Sequence, residues 1–228
     1  MRRMLAATLI AGAACFMCAT AVAAPFGVLL GSDRMVLDTP PGFSETGAYG
    51  SPRLTEIAEN LAEASSRVLA FAISDADARR FSVGDPLELR NYLLAVTPRA
   101  KERERMTTAQ YAALIEEAGR NLGTPPPPQT DLRKYLAGRA PGGPHLLADL
   151  RRDSQVISLL YGTLVPQPQP WWAADKPPLV KISSLTLLNV GGRAIYLYAF
   201  SGFDSPGDVA WIKSISETWT EQLQRLNR

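Results

Sequence analysis

The stretch that decides the fold covers residues 179–200 and reads LVKISSLTLLNVGGRAIYLYAF. Its two apolar runs are joined by Gly191 and Gly192, and a two-glycine link supplies the positive φ values that a tight hairpin turn requires. The apolar pattern slips by one position near residues 183–184, which predicts a bulge. From 194 to 200 every residue is apolar or aromatic, so we expect both faces of the sheet to be covered there.

Other strands and helices follow from periodicity and capping signals. Ser51-Pro52, Thr107 with Gln110, and Ser205-Pro206 with Asp208 each predict the start of a helix. Residues 131–153 are ambiguous and predict one or two short helical turns. The remaining predicted strands are 34–38, 68–73, 92–96 and 156–165. Hairpins covered on both faces predict an α/β (α+β) fold, a three-layer sandwich with a largely antiparallel central sheet.

Residues 1–23 have the three parts of a secretory signal peptide. Arg2-Arg3 gives a basic start, residues 5–18 carry no charge, and Ala21-Val22-Ala23 forms a small-x-small cleavage site. We therefore expect the signal peptide to be removed. Residues 24–228 then form a single domain that is periplasmic or secreted.

Two alternatives to cleavage stay open. The uncharged run is somewhat shorter than the roughly 20 residues of a membrane span, but it is a candidate for a retained anchor. Cys15 follows Gly12-Ala13-Ala14, and a small residue before the cysteine suits a lipoprotein signal. No second apolar segment approaches spanning length, so the mature chain is expected to have no membrane span.

Composition excludes several kinds of chemistry. Cys15 and Cys18 are the only cysteines and both lie in the signal peptide, so the mature chain has no thiolate nucleophile or thiolate metal ligand. The full chain has 24 Lys+Arg and 22 Asp+Glu, and loss of Arg2-Arg3 leaves 22 of each. The densest basic stretch, 99–105, is interleaved with two glutamates and predicts a solvated loop. We expect no nucleic-acid partner.

Candidate catalytic groups are few. His145 is the single histidine and is expected in an exposed loop, and no Gly-x-Ser-x-Gly turn accompanies it. The glycine pairs lack the residues of a phosphate loop and predict turns. We expect no catalytic residue, no cofactor and no metal site.

Carboxylates offer the one alternative for catalysis. Asp75 and Asp77 follow a buried strand and would border a cleft if the protein were a hydrolase. Glu56, Glu59 and Glu63 lie three and four residues apart, and their spacing predicts a solvated helix face.

Two adjacent tryptophans stand out. Residues 166–172 read PQPQPWW, which cannot join a sheet ladder and predicts a polyproline-like loop. Trp171 and Trp172 either fold back onto the sheet or anchor a partner. They are the candidate partner-binding residues.

The two ends of the mature chain resemble the PsbP-like superfamily, which includes bacterial periplasmic proteins of the DcrB type. The resemblance is carried by a strand entering a Pro-Gly-Phe turn, 37–43, and by the closing hairpin with its Ser205-to-Asp208 helix cap. It implies an antiparallel α/β/α sandwich with a non-enzymatic role. No functional residue is carried over, because no position matches a site motif.

The leading hypothesis is therefore an exported, non-enzymatic accessory or binding protein of a bacterial-type cell envelope with a protein partner. A carboxylate-dependent envelope hydrolase is one alternative. A membrane-tethered component of an envelope complex is the other. The sequence indicates neither a ligand nor an oligomeric state.

Overall fold

A central antiparallel sheet organises the chain. The computed structural model describes residues 24–120, 124–128, 130–139, 142–167 and 178–228. The strands are β1 (Phe26–Leu30), β2 (Asp33–Leu37), β3 (Phe43–Glu45), β4 (Ser66–Ser74), β5 (Asn91–Pro98), β6 (His145–Arg152), β7 (Val156–Val165), β8 (Leu179–Val190) and β9 (Arg193–Gly202). The α-helices are α1 (Pro52–Leu61), α2 (Asp75–Ser82), α3 (Thr108–Arg120), α4 (Leu132–Ala137) and α5 (Pro206–Leu226).

Seven strands form one sheet in the order β3-β4-β5-β9-β8-β7-β6, and each neighbouring pair is antiparallel. β1 and β2 form a separate hairpin. The predicted β8–β9 hairpin is confirmed, with Gly191 at φ 58° and Gly192 at φ 82° in its turn. β9 lies inside the sheet because β5 pairs with its other edge.

The predicted bulge at residues 183–184 is wrong. Pairing between β8 and β9 runs without a shift through Ser183↔Phe200 and Ser184↔Ala199. The apolar pattern breaks there because the Ser184 hydroxyl is buried against the Ser216 hydroxyl of α5 and exchanges a hydrogen bond with it. The register shifts lie in β4 and β6 instead.

One face of the sheet is covered by α5, α4 and the β1–β2 hairpin. α5 begins at the predicted cap, where Ser205 and Asp208 form a reciprocal capping box. Its apolar stripe buries Ile212, Trp219 and Leu223 against the sheet. The three-layer prediction is confirmed on this side.

The other face is covered by α1, α2 and α3. α3 begins at the predicted capping box, where the Thr107 N–H donates to Gln110 Oε1 at 2.8 Å and the Gln110 N–H donates to Thr107 Oγ1 at 3.2 Å. The buried Tyr111 hydroxyl lies 2.9 Å from the carbonyl oxygens of Gln155 and Leu187, which fixes α3 over β7 and β8.

The ambiguous segment 131–153 is resolved in two parts. Asp131 caps the short helix α4, which confirms the predicted helical turns, and residues 145–152 form the edge strand β6, which was not predicted. Two register shifts against β7 break the period-two pattern that would have marked this strand. Among the described residues, no helix is both long and apolar enough to cross a bilayer.

Candidate functional site

Alternate residues of β9 place an aromatic strip on one sheet face. Tyr196, Tyr198 and Phe200 project toward the layer of α1 and α3, and all three are half-buried. On the opposite face Ile195, Leu197 and Ala199 are fully buried. The expectation that both faces of β9 are covered therefore holds completely for one face only.

Stacking makes this aromatic strip rigid. The Phe200 ring stacks on Tyr92 with centroids 4.5 Å apart and planes at 17°, and on Tyr198 with centroids 5.9 Å apart and planes at 14°. Tyr92 in turn meets Phe71 edge-on at 6.2 Å. Offset aromatic pairs stabilise beyond their buried area, so these rings form a fixed ladder across β9, β5 and β4.

A small pocket opens beside the aromatic strip. It has a volume of about 120 Å³ and is lined by Leu61, Glu63, Val96, Tyr198 and Phe200, among others. Pockets for whole organic ligands are typically about 300–1,000 Å³. The pocket therefore fits a single side chain of a partner better than a free small molecule.

The phenols of this surface are neutral groups. Burial raises the pKa of Tyr92 to about 12. Burial also raises the pKa of Tyr196, and the nearby Glu63 and Glu117 carboxylates raise it further. These hydroxyls therefore serve as hydrogen-bonding groups on an apolar surface rather than as acids near neutral pH.

Trp171 and Trp172, the partner-binding candidates from the sequence, lie outside the described residues. The strands that flank them in the chain, β7 and β8, pair with each other from Val165↔Leu179 onward. Signal-peptide residues 1–23 also lie outside the described residues.

Asp77 is a structural residue of α2. Its carboxylate is 4 % exposed. It accepts hydrogen bonds from the Ser74 hydroxyl at 3.2 Å and from the Glu88 N–H at 2.8 Å. Asp77 N–H also donates to Ser74 Oγ, which completes the cap of α2. Both carboxylate oxygens are thus engaged in holding the start of α2 to the loop that follows it.

Asp75 lies in a more open place. Its Oδ1 accepts a hydrogen bond from the Ser44 hydroxyl at 2.9 Å, and the residue is half-buried. With Glu45 and Arg79 it lines an open cleft of about 550 Å³. The Glu45 carboxylate accepts hydrogen bonds from the Gly47 and Ala48 N–H groups. The structure thus brings Asp75 together with Glu45, a residue that the sequence analysis did not select.

The remaining candidates have ordinary surroundings. His145 is the first residue of β6, pairs with Gly162 and is half-buried, so the expectation of an exposed loop histidine is wrong. Glu56, Glu59 and Glu63 are exposed, as predicted, but Glu63 lies beyond the end of α1 and not on the predicted helix face. Within the described ranges, no three His, Cys, Asp or Glu side chains are grouped so that they could hold a metal ion.

An ionic cluster, which the sequence analysis missed, joins the β1–β2 hairpin to the start of β9. Arg193 is 4 % exposed, and its guanidinium donates to Asp33 Oδ2 at 2.7 and 3.0 Å. Arg105 donates to both Asp33 oxygens. Arg67 pairs with Glu102 beside them. The partners are up to 160 residues apart, so no local pattern marks the cluster.

Comparison with known proteins adds no relative: no protein-family model, no curated protein and no solved structure matches the chain. The resemblance of the chain ends to the PsbP-like superfamily stays a prediction.

Proposed function

We propose that this protein is an exported, non-enzymatic accessory or binding protein of a bacterial-type cell envelope, and that the aromatic strip is its contact surface. The observation that carries the proposal is the row of half-buried rings Tyr196, Tyr198 and Phe200 on an otherwise close-packed sheet, in which Tyr198 and Phe200 are stacked. Rigid aromatic side chains supply contact area at low entropic cost and are enriched at interfaces.

Export is supported by the signal-peptide pattern of residues 1–23. The PsbP-like resemblance adds support, because the two segments that carry it meet in three dimensions. Trp219 Nε1 in α5 donates to the Asp38 carbonyl oxygen at 2.8 Å, next to the Pro-Gly-Phe turn. Mass spectrometry of the protein from native envelopes tests export: Ala24 as first residue supports it. A lipid on Cys15 or a retained leader would instead favour the membrane-tethered alternative.

The contact surface is tested by site-specific photo-crosslinking in intact envelopes. We expect p-benzoylphenylalanine in place of Tyr198 to yield a covalent adduct with a discrete envelope protein. The matched control places it at Lys213, which is exposed on α5 in the opposite layer. Absence of an adduct at position 198, or the same adduct at position 213, would refute the aromatic strip as the contact surface.

Trp171 and Trp172 are proposed as a second part of the interface. Replacing both by alanine is expected to reduce the Tyr198-position adduct without lowering the melting temperature. An unchanged adduct with an unchanged melting temperature removes them from the interface. A lowered melting temperature would instead show that the two tryptophans fold back onto the sheet and stabilise the fold.

A carboxylate-dependent hydrolase is the second candidate, because Asp75 and Glu45 line one open cleft. If this candidate is correct, the protein cleaves envelope polysaccharide and Asp75→Asn abolishes that cleavage. The control Asp85→Asn, at an exposed loop position, leaves the cleavage unchanged. If the purified protein releases no soluble fragments from such material, the non-enzymatic proposal stands.

A further inference from the structure

The outer edge of β4 is only partly paired. β5 pairs along the length of the inner edge, whereas β3 pairs only with Ala72, Ile73 and Ser74 on the outer one. The Thr46 N–H donates to the Phe71 carbonyl oxygen at 2.8 Å and extends this contact by one residue. No strand of the described ranges lies beside the outer edge of residues 66–70. Unpaired N–H and C=O groups at such an edge are a template for another strand.

The opposite edge of the sheet, β6, is better protected against pairing with another strand. β6 carries two register shifts against β7, and its exposed half bears two ion pairs, Arg151 with Asp153 and Arg152 with Asp149. Bulges and charged side chains are the usual means by which an edge strand avoids pairing with another chain. β4 has one register shift of its own, between Val68 and Ala70, and one ion pair, Arg67 with Glu102, so the two edges differ in degree.

A groove runs along the open part of β4. It has a volume of about 530 Å³ and lies between this edge and α1. Leu69 and Ala70 are buried, whereas Ser66, Arg67 and Val68 are half-buried, so the first residues of β4 are the most accessible part of this edge. Recognition there would depend on main-chain hydrogen bonds, as in strand addition.

The rim of the groove is acidic. Glu59 reaches it from α1, Glu63 from the loop after α1, and Glu45 from the end of β3. Of the two basic residues that line it, Arg67 is engaged by Glu102 and the Leu29 carbonyl oxygen, which leaves Arg99. The uncompensated charge is negative, so an incoming strand with basic side chains is favoured.

We propose that the outer edge of β4 at residues 66–70 is a strand-addition site for an extended, basic segment of a partner protein. A second copy of this chain fits less well, because antiparallel pairing of two such edges would bring two acidic rims together. The groove uses none of the aromatic-strip residues, although Glu63 and Ser66 line both the groove and the small pocket beside that strip.

The test uses the purified protein and a blocked heptapeptide of alternating lysine and valine. We expect binding by calorimetry and slowed amide hydrogen exchange within residues 66–70. Two matched peptides act as controls: one methylated on alternate backbone nitrogens, which cannot pair as a strand, and one with glutamate in place of lysine. We expect both to bind at least tenfold more weakly.

Charge variants test the acidic rim. Glu59→Gln with Glu63→Gln is expected to weaken binding by about three- to tenfold, as for two exposed ion pairs. Glu56→Gln, on α1 but outside the groove, is expected to change affinity less than twofold. Equal binding of the methylated peptide, or protection at β6 instead, would overturn the proposal. The proposal would also be overturned if the protein formed a dimer without peptide and the same β4 amides were protected in that dimer. A second copy of the chain would then be the occupant of the site.

Discussion

Arg193 shows how single residues hold this fold together. It is nearly fully buried, and its guanidinium is satisfied by the Asp33 carboxylate and, at 3.2 Å, by the Glu102 carbonyl oxygen. Hydrogen bonds from Arg105 and, to a smaller extent, from Arg193 lower the pKa of Asp33 from 3.8 to about 2. A buried cation left without its anion is strongly destabilising, so Asp33 links the β1–β2 hairpin to the sheet.

This lowered pKa predicts an acid-sensitive component of stability. Between about pH 4 and pH 2 the unfolded chain takes up a proton at Asp33 that the folded chain does not, so the free energy of unfolding falls as the pH falls through this window. Asp33→Asn is expected to lower stability at neutral pH and to flatten the acid slope. Urea unfolding at a series of pH values measures both, with exposed Asp85→Asn as the control. Equal slopes in the two variants would contradict the assignment.

Gly162 is a second residue whose role comes from packing. A Cβ atom there would lie 2.7 Å from Leu136 Cδ1 and 2.9 Å from Leu147 Cδ1, inside the contact between β7 and α4. We expect Gly162→Ala to lower the free energy of unfolding by about 1–3 kcal/mol, as overpacked cores do. Gly138→Ala is the control, since its new Cβ would meet nothing closer than 3.7 Å. Urea denaturation that shows equal stability for both variants would refute the close contact.

At the scale of elements, a substitution in the β8–β9 turn tests backbone conformation without any change in side-chain packing. Gly191 has φ 58°, and a Cβ there would have no neighbour within 4 Å. Gly191→Ala is therefore expected to cost about 1–2 kcal/mol from left-handed backbone strain. Gly191→Asn should be close to neutral, because asparagine tolerates this conformation. Chemical unfolding distinguishes them, and an alanine variant as stable as the asparagine variant would show that the turn does not adopt the left-handed conformation.

Some helices and strands could be predicted from the sequence, and others could not. α3 and α5 were predictable because their capping boxes are local hydrogen bonds between residues three apart. β6 was not, because its bulges disturb the alternation that marks a strand. α2 was missed as a helix although Ser74 caps it, since an acid three residues after Ser74 is also typical of a loop that borders a cleft.

The whole molecule is expected to unfold as one unit. The first and last parts of the described chain share a core: α5 packs on β2, β8 and β9, and the Asn227 amide exchanges hydrogen bonds with the Val36 backbone. We expect coincident transitions by far-ultraviolet circular dichroism and tryptophan fluorescence. A chain ended at Asp204 would expose the part of the sheet that α5 covers and is expected to lose the cooperative transition. Two separated transitions in the intact chain would indicate independent units.

The candidate site was only partly predictable from the sequence, because it depends on contacts between segments that are far apart in the chain. The aromatic residues of β9 were evident in the sequence, but their partial burial depends on how the helices pack on this face of the sheet. The sequence pattern indicated Asp75 and Asp77 together, whereas the fold buries Asp77 in the first turn of α2 and brings Asp75 beside Glu45 instead.

The sequence by itself determined the central hairpin, the caps of α3 and α5, and the antiparallel three-layer architecture. Each of these depends on residues close together in the chain, where turn geometry and side-chain periodicity act directly. Only the tertiary structure decided the Asp33–Arg193 pair, the half-exposed strip and the unpaired edge of β4. These depend on contacts between distant segments, and their free energy comes from burial and pairing that no local pattern records.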